Sequence, residues 1–143
     1  VQIQILLLLR ELQRELGMSV IFVTHDVGVA VEIADRIAVM YAGRFVETGP
    51  ARAVIKSPEH PYTRGLLAST VHGAMRGQRL EAIPGSPPDL ASLPSGCSFA
   101  PRCTLCHEAC LARFPAVSEP ASGHLVRCHA LTTAAAEIDS APD

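Results

Sequence analysis

The sequence predicts an α/β protein followed by a small, irregular, cysteine-rich appendage, and three observations carry that expectation. Leucines and isoleucines recur at three- and four-residue spacing over positions 1–16, the pattern of an amphipathic helix. A short run, Ser19-Val20-Ile21-Phe22-Val23, then has the β-branched and aromatic composition of a strand buried on both faces. Past residue 70 the apolar periodicity stops, and Gly, Pro and Ser give way to five cysteines in the last third of the chain. With 143 residues, 48% of them hydrophobic, the chain can bury one modest core drawn from about 100 residues.

Along the chain, Gly17 is placed to cap the first helix with a residue that tolerates positive φ. After the strand, Asp26 can accept hydrogen bonds from the first free amides of a short helix over 27–34, although Gly28 weakens that helix. The runs 36–40 and 44–48 read as an antiparallel edge pair, joined through Tyr41-Ala42-Gly43 with glycine where φ must be positive. Gly49-Pro50 breaks the chain, 51–56 makes about two helical turns, and another helix runs near 63–69. From about 71 to 95 the composition is that of a linker, and Pro84-Gly85-Ser86-Pro87-Pro88 cannot lie inside a helix or central strand. The tail from 130 onward is frayed or weakly helical, and Arg76-Gly77-Gln78-Arg79 is a solvated loop.

Several classes are excluded. A formal charge of −2 without a basic stripe gives no electrostatic reason to expect nucleic acid, whose binding needs clustered Lys and Arg. Leu6 to Leu9 are a buried helix face rather than a span, because Arg10 and Glu11 follow them and crossing takes about 20 apolar residues. The chain opens at Val1 with no basic n-region and no cleavage site, so we expect neither a secretory signal nor a natural start. Five thiols without a signal are better read as cytosolic metal ligands than as disulfides.

Two constellations carry chemistry. The hydrophobic run ending in Thr24-His25-Asp26 delivers one histidine to the end of a strand, where open α/β sheets place their ligand crevice. His25 could orient a water or touch a terminal phosphate; equally, such a histidine can satisfy local backbone groups, and a lone His-Asp pair does not separate the two. The second is Cys97-x5-Cys103-x2-Cys106-x3-Cys110-x17-Cys128-His129, in a segment with few large apolar residues that a metal could fold. The spacing fits no common zinc ribbon. Cys103 and Cys106 alone suggest zinc or a redox pair, and four thiolates would also satisfy an iron–sulfur cluster.

Taken together, Gln4-x4-Leu9 with Leu12-Gln13, Phe22-Val23-Thr24-His25-Asp26, Ala34-Asp35-Arg36-Ile37, Val39-Met40-Tyr41-Ala42-Gly43-Arg44 and Val46-Glu47-Thr48-Gly49 resemble the ATP-binding subunits of ABC transporters. The continuation Ser57-Pro58-Glu59-His60-Pro61-Tyr62-Thr63-Arg64-Gly65-Leu66-Leu67 narrows the resemblance to the subfamily serving dipeptide and oligopeptide importers. It implies an α/β fold that is the C-terminal part of an ABC-type P-loop nucleotide-binding domain, over 1–70, with a linker at 71–95. A cysteine-rich extension at 96–130 and a flexible tail at 131–143 would follow. His25 would be the catalytic switch histidine contacting the ATP γ-phosphate, with ATP and Mg²⁺ as cofactors. Neither a phosphate loop, a signature motif nor a strand ending in Asp-Glu occurs in the sequence, so the chain as it stands is expected not to hydrolyse ATP.

The same resemblance implies a [4Fe-4S] cluster on Cys97, Cys103, Cys110 and Cys128, with zinc as the alternative. Cys106 departs from the subfamily's pattern and could compete as a ligand. His107, His124 and His129 are possible substitutes, read more simply as solvated residues or as partners of the ligands. His60-Pro61-Tyr62 is read as structural, fixing a turn and packing a ring. The implied partners are transmembrane permease subunits, a second ATPase subunit and, indirectly, an extracytoplasmic substrate-binding protein. The implied location is the cytoplasmic face of the inner membrane, peripherally bound. The rival reading is a free-standing metal-binding or redox-sensing module that hydrolyses no nucleotide.

Overall fold

The computed structural model describes residues 2–72 and 83–131. Helix α1, Gln2–Leu16, ends at Gly17, whose φ of 62° supplies the left-handed residue, and Met18 N donates to Gln13 O at 3.3 Å. Helix α2, Val27–Ile33, starts where the sequence places its cap: Asp26 accepts from Val29 N at 3.2 Å. α1 packs on α2, and α2 on a later helix, α4, spanning Pro61–His72.

Two expectations fail in this first region. Residues 19–23 form no strand, and Ile21 and Val23 stand 93% and 90% exposed. A strand is held by hydrogen bonds to neighbours, and among the described residues none runs alongside this segment. The leucine face of α1 is likewise uncovered: Leu6 is buried, whereas Leu7, Leu8 and Leu16 are exposed. Periodicity made the helix, but burial needs a second surface.

The sheet lies further along. Strand β1, Arg36–Tyr41, pairs antiparallel with β2, Arg44–Pro50, in the expected hairpin. Ala42 and Gly43 both take positive φ, 48° and 76°, as a tight two-residue connection requires. A register irregularity between Val39 and Met40 twists the hairpin. Helix α3, Ala51–Lys56, follows at once, anchored by Ala51 N to Asp35 O at 2.9 Å. Pro61 opens α4, where a missing N–H costs nothing.

The cysteine-rich segment adds two strands to this same sheet. After a 3₁₀ turn, Ala100–Arg102, and a short helix α5, Glu108–Ala112, come β3, Ser118–Ala121, and β4, His124–Val126. The order is β1-β2-β4-β3, every pair antiparallel, with β4 registered on β2 through Glu47↔Val126 and Thr48↔Leu125. The core is shared too. Tyr41 and Val46 from the hairpin enclose Phe99 from the cysteine-rich segment, with Tyr62 against them. Tyr41 and Phe99 meet edge to face at 5.2 Å between centroids, a favoured aromatic geometry. Arg102 ties the preceding stretch down, donating to Pro84 O at 2.8 Å and Ile83 O at 3.0 Å. Arg76 to Arg79 and the tail from 132 lie outside the described residues. Among the described residues no helix is long and apolar enough to cross a membrane.

Candidate functional site

His25 sits at the corner before α2, exposed, in a turn set by its neighbours. Thr24 Oγ1 accepts from Asp26 N at 2.9 Å, and Asp26 in turn caps the helix. The corner therefore holds its backbone shape through the residues on either side of His25 and leaves the imidazole directed to solvent-accessible surface, beside the exposed apolar run 19–23.

A second polar centre lies buried in the sheet. Glu47, 1% exposed on β2, accepts three hydrogen bonds: from Glu59 N and His124 Nε2 on Oε1, at 2.9 and 2.7 Å, and from His60 N on Oε2, at 2.9 Å. One carboxylate thus joins the hairpin, the turn before α4 and strand β4. His60, itself 1% exposed, turns Nδ1 to accept from Tyr62 N at 3.1 Å, and its ring lies tilted against Phe99 at 5.8 Å between centroids. Burial lowers its pKa from 6.5 to about 4, with Arg64 adding to the shift and Glu47 opposing it. His60 is therefore neutral at pH 7, as an acceptor at Nδ1 must be. The structural reading of His60-Pro61-Tyr62 holds. Gly49 lets His124 approach: a Cβ there would meet His124 Cδ2 at 3.1 Å.

The solvated reading of two histidines needs correction. His124 is buried against Glu47 rather than solvated, and His129 is buried with Nε2 2.9 Å from Arg113 O. His107 is exposed at the N-terminus of α5. The sequence missed the Glu47 centre because its members lie far apart along the chain, and a single glutamate in a strand pattern reads as outward-facing. The available signal was the pairing of Glu47 with small Gly49 on the same face of β2.

The cysteines converge. Cys97 N donates to Cys110 O at 2.7 Å, and Gly96 permits this, since a Cβ on it would stand 2.2 Å from that carbonyl. Burial pushes the thiols of Cys97, Cys103 and Cys128 up, and each is raised further by the nearby Cys110, so all three remain protonated near neutral pH. Cys110 and Cys128 are buried, Cys97 and Cys103 half-buried, and Cys106 exposed; all are free thiols. Four gathered sulfur donors suit zinc or an iron–sulfur cluster in kind. Their spacing does not: among the described residues no three His, Cys, Asp or Glu side chains stand close enough to hold an ion.

The described residues thus form a mixed helix and sheet fold in which β4 and β3 extend the antiparallel hairpin sheet. Residues 46–110 match the family described as the oligopeptide/dipeptide transporter C-terminal region, a span containing Glu47 and His60 but not His124, and all the cysteines except Cys128. The chain is 50% identical over 134 residues to proteins of Brucella ovis and Brucella abortus named for peptide import and ATP binding, covering 90% of this chain and 40% of each relative. It is 44% identical over 128 residues to the dipeptide transport ATP-binding protein of Bacillus subtilis, covering 90% of this chain and 38% of that protein. The chain is thus similar over 90% of its length to proteins named for peptide import or dipeptide transport and ATP binding, and it spans about two fifths of the length of these curated relatives.

Proposed function

We propose that this chain is part of the ATP-binding subunit of a peptide-type ABC importer, which powers uptake of di- or oligopeptides through a membrane permease. The observation that carries this reading is the similarity to peptide-import ATP-binding proteins over 90% of the chain. The structure supports it in one respect: the apolar run 19–23 and the leucine face of α1 are built for burial yet exposed, as surfaces that join a larger nucleotide-binding sheet would be. The rival reading as a free-standing metal-binding module finds no support in these similarities.

In this proposal residues 1–70 complete a nucleotide-binding domain, 71–95 link it onward, and 96–130 form the extension. His25 reaches the γ-phosphate of Mg²⁺-bound ATP when two such subunits close, and the exposed corner held by Thr24 and Asp26 keeps it available for that contact. Its imidazole would position the attacking water, since phosphoryl transfer depends on positioning and charge stabilisation. The subunit would work peripherally on the cytoplasmic face of the membrane, with permease subunits, a second ATPase subunit and an extracytoplasmic binding protein as its assembly. That Cys97, Cys103, Cys110 and Cys128 hold a [4Fe-4S] cluster, or zinc in its place, rests on their donor chemistry alone, since their spacing in this structure does not suit an ion, and iron, zinc and acid-labile sulfide analysis tests it.

The functional test is His25→Ala in the chromosomal copy of the producing cell, read as uptake of a labelled dipeptide with the protein's abundance followed by immunoblot. Uptake should fall by roughly 100-fold, the low end for a positioned acid–base group, at unchanged abundance. Unchanged uptake would remove His25 from the reaction.

A further inference from the structure

Two arginines far apart in sequence meet over one ring. Arg44, the first residue of β2, sets its guanidinium carbon 4.2 Å from the centre of the Phe114 ring, and Arg127, just past β4, sets its own 5.6 Å from the same centre. Both lie within reach of a cation–π contact. The backbone fixes the arrangement: Arg127 N donates to Val46 O at 2.9 Å, beside the β2–β4 pairing, and His129 Nε2 lies 2.9 Å from Arg113 O, which holds the chain next to Phe114. Stacking steadies a guanidinium but uses none of its N–H donors. Arg127 uses one of them, on Pro115 O at 3.4 Å; Arg44 uses none on any described residue, and no described carboxylate lies within 4 Å of either. Together with Gly43, Phe45 and Phe114 they line a cleft of about 370 Å³. A smaller cleft of about 210 Å³ adjoins it, since Phe45 and Arg127 line both. Its walls include Val117 and Leu125, which, like Phe45, are exposed apolar side chains. The carboxylate of that wall, Glu47, is buried and already engaged by three donors. A basic end therefore runs into an apolar one, with no acid free between them.

We propose that the adjoining clefts bind a small amphiphile, an oxyanion head of the carboxylate or phosphate-monoester kind on a short apolar chain. The head lies between Arg44 and Arg127, where a guanidinium fork can take two oxygens at once and the negative charge offsets the repulsion between two cations held on one ring. The chain covers Phe45, Val117 and Leu125 and removes them from water. The larger cleft is at the lower end of the range for small-molecule sites, which favours a short molecule over a folded partner. A zwitterion is disfavoured, because its ammonium would meet two guanidinium groups and no available carboxylate. The proposal does not rest on the transport reading.

The test titrates the full chain, isotopically labelled, with octanoate, octyl phosphate and octyltrimethylammonium, each below its micelle concentration, and follows the amide resonances by NMR. At least one of the two anions should shift the amides of residues 43–45, 114 and 127 to saturation, and the tighter of them identifies the head. Octyltrimethylammonium, with the same chain and the opposite charge, should leave those amides in place. Arg44→Gln, an exposed change outside the core, should weaken the anion by about five-fold, the upper end for an exposed ion pair, and Phe45→Ser should weaken it through the chain. The amide spectrum of each variant shows directly whether it is folded. No saturable shift at these amides with either anion, equal shifts with all three probes, shifts confined to the apolar residues of 5–23, or an affinity unchanged by Arg44→Gln would overturn the proposal.

Discussion

Residues 2–33 and residues 36–131 invert the usual relation between composition and burial. The first region is rich in Leu, Ile and Val, yet of its large apolar residues Leu6 is buried while most of the others lie open. The second is crowded with His, Cys, Arg and Pro, yet it holds the sheet, the Tyr41–Val46–Phe99 core and a buried carboxylate with three donors. Apolar composition is a demand for a partner surface, not a source of one. Where the described chain supplies strands and rings to close around, even polar groups go inside; where it supplies none, leucines stay out.

That contrast can be broken most severely at Glu47. Glu47→Ala leaves two buried amides and His124 without their acceptor and should cost about 3–5 kcal/mol, the range for breaking a buried pair, read as a lowered urea midpoint. The second effect is set by pH. An unfolded His60 takes up a proton near 6.5, whereas the folded one resists until about 4, so between these values the unfolded chain binds more protons. Stability should be full above about 6.5 and fall as the pH drops towards 4, by about 3 kcal/mol at most. His60→Asn, which keeps an acceptor but does not titrate, should flatten the part of a urea-midpoint-against-pH curve that belongs to this residue.

A smaller loss is expected at Gly49→Ala. The new Cβ would press on the backbone and ring of His124 at 3.1–3.3 Å, and overpacking of that kind costs about 1–3 kcal/mol. Smallest of all should be Val23→Ser, in the open run. Val23 is 90% exposed, so the change should alter the unfolding free energy of this chain, read from the urea midpoint, by no more than about 0.5 kcal/mol. A large loss there would show that residues 19–23 are covered in solution, and would erase the contrast between the two regions.

Local structure was legible wherever it depended on neighbours in sequence. The Gly17 cap, the Asp26 cap, the hairpin at Ala42-Gly43 and the short helix 51–56 all follow from residues a few positions apart, because a cap or a tight turn is decided by φ and by one side chain reaching its own backbone. The strand expected at 19–23 was read from the right composition, but pairing is a property of two segments, and composition describes one. The candidate site divides in the same way. His25 and the convergent cysteines could be named from the sequence, whereas the buried roles of His124 and His129 could not.

By itself, then, the sequence determined which residues can cap, turn or seek burial, because those are properties of side chains and of short backbone stretches. Only the tertiary structure decided that the cysteine-rich segment completes the hairpin's sheet and that Glu47, with its three donors, is a buried polar centre. The physical reason is that long-range hydrogen bonds depend on where the chain returns, and β4 returns to β2 across the seventy-seven positions between Glu47 and His124.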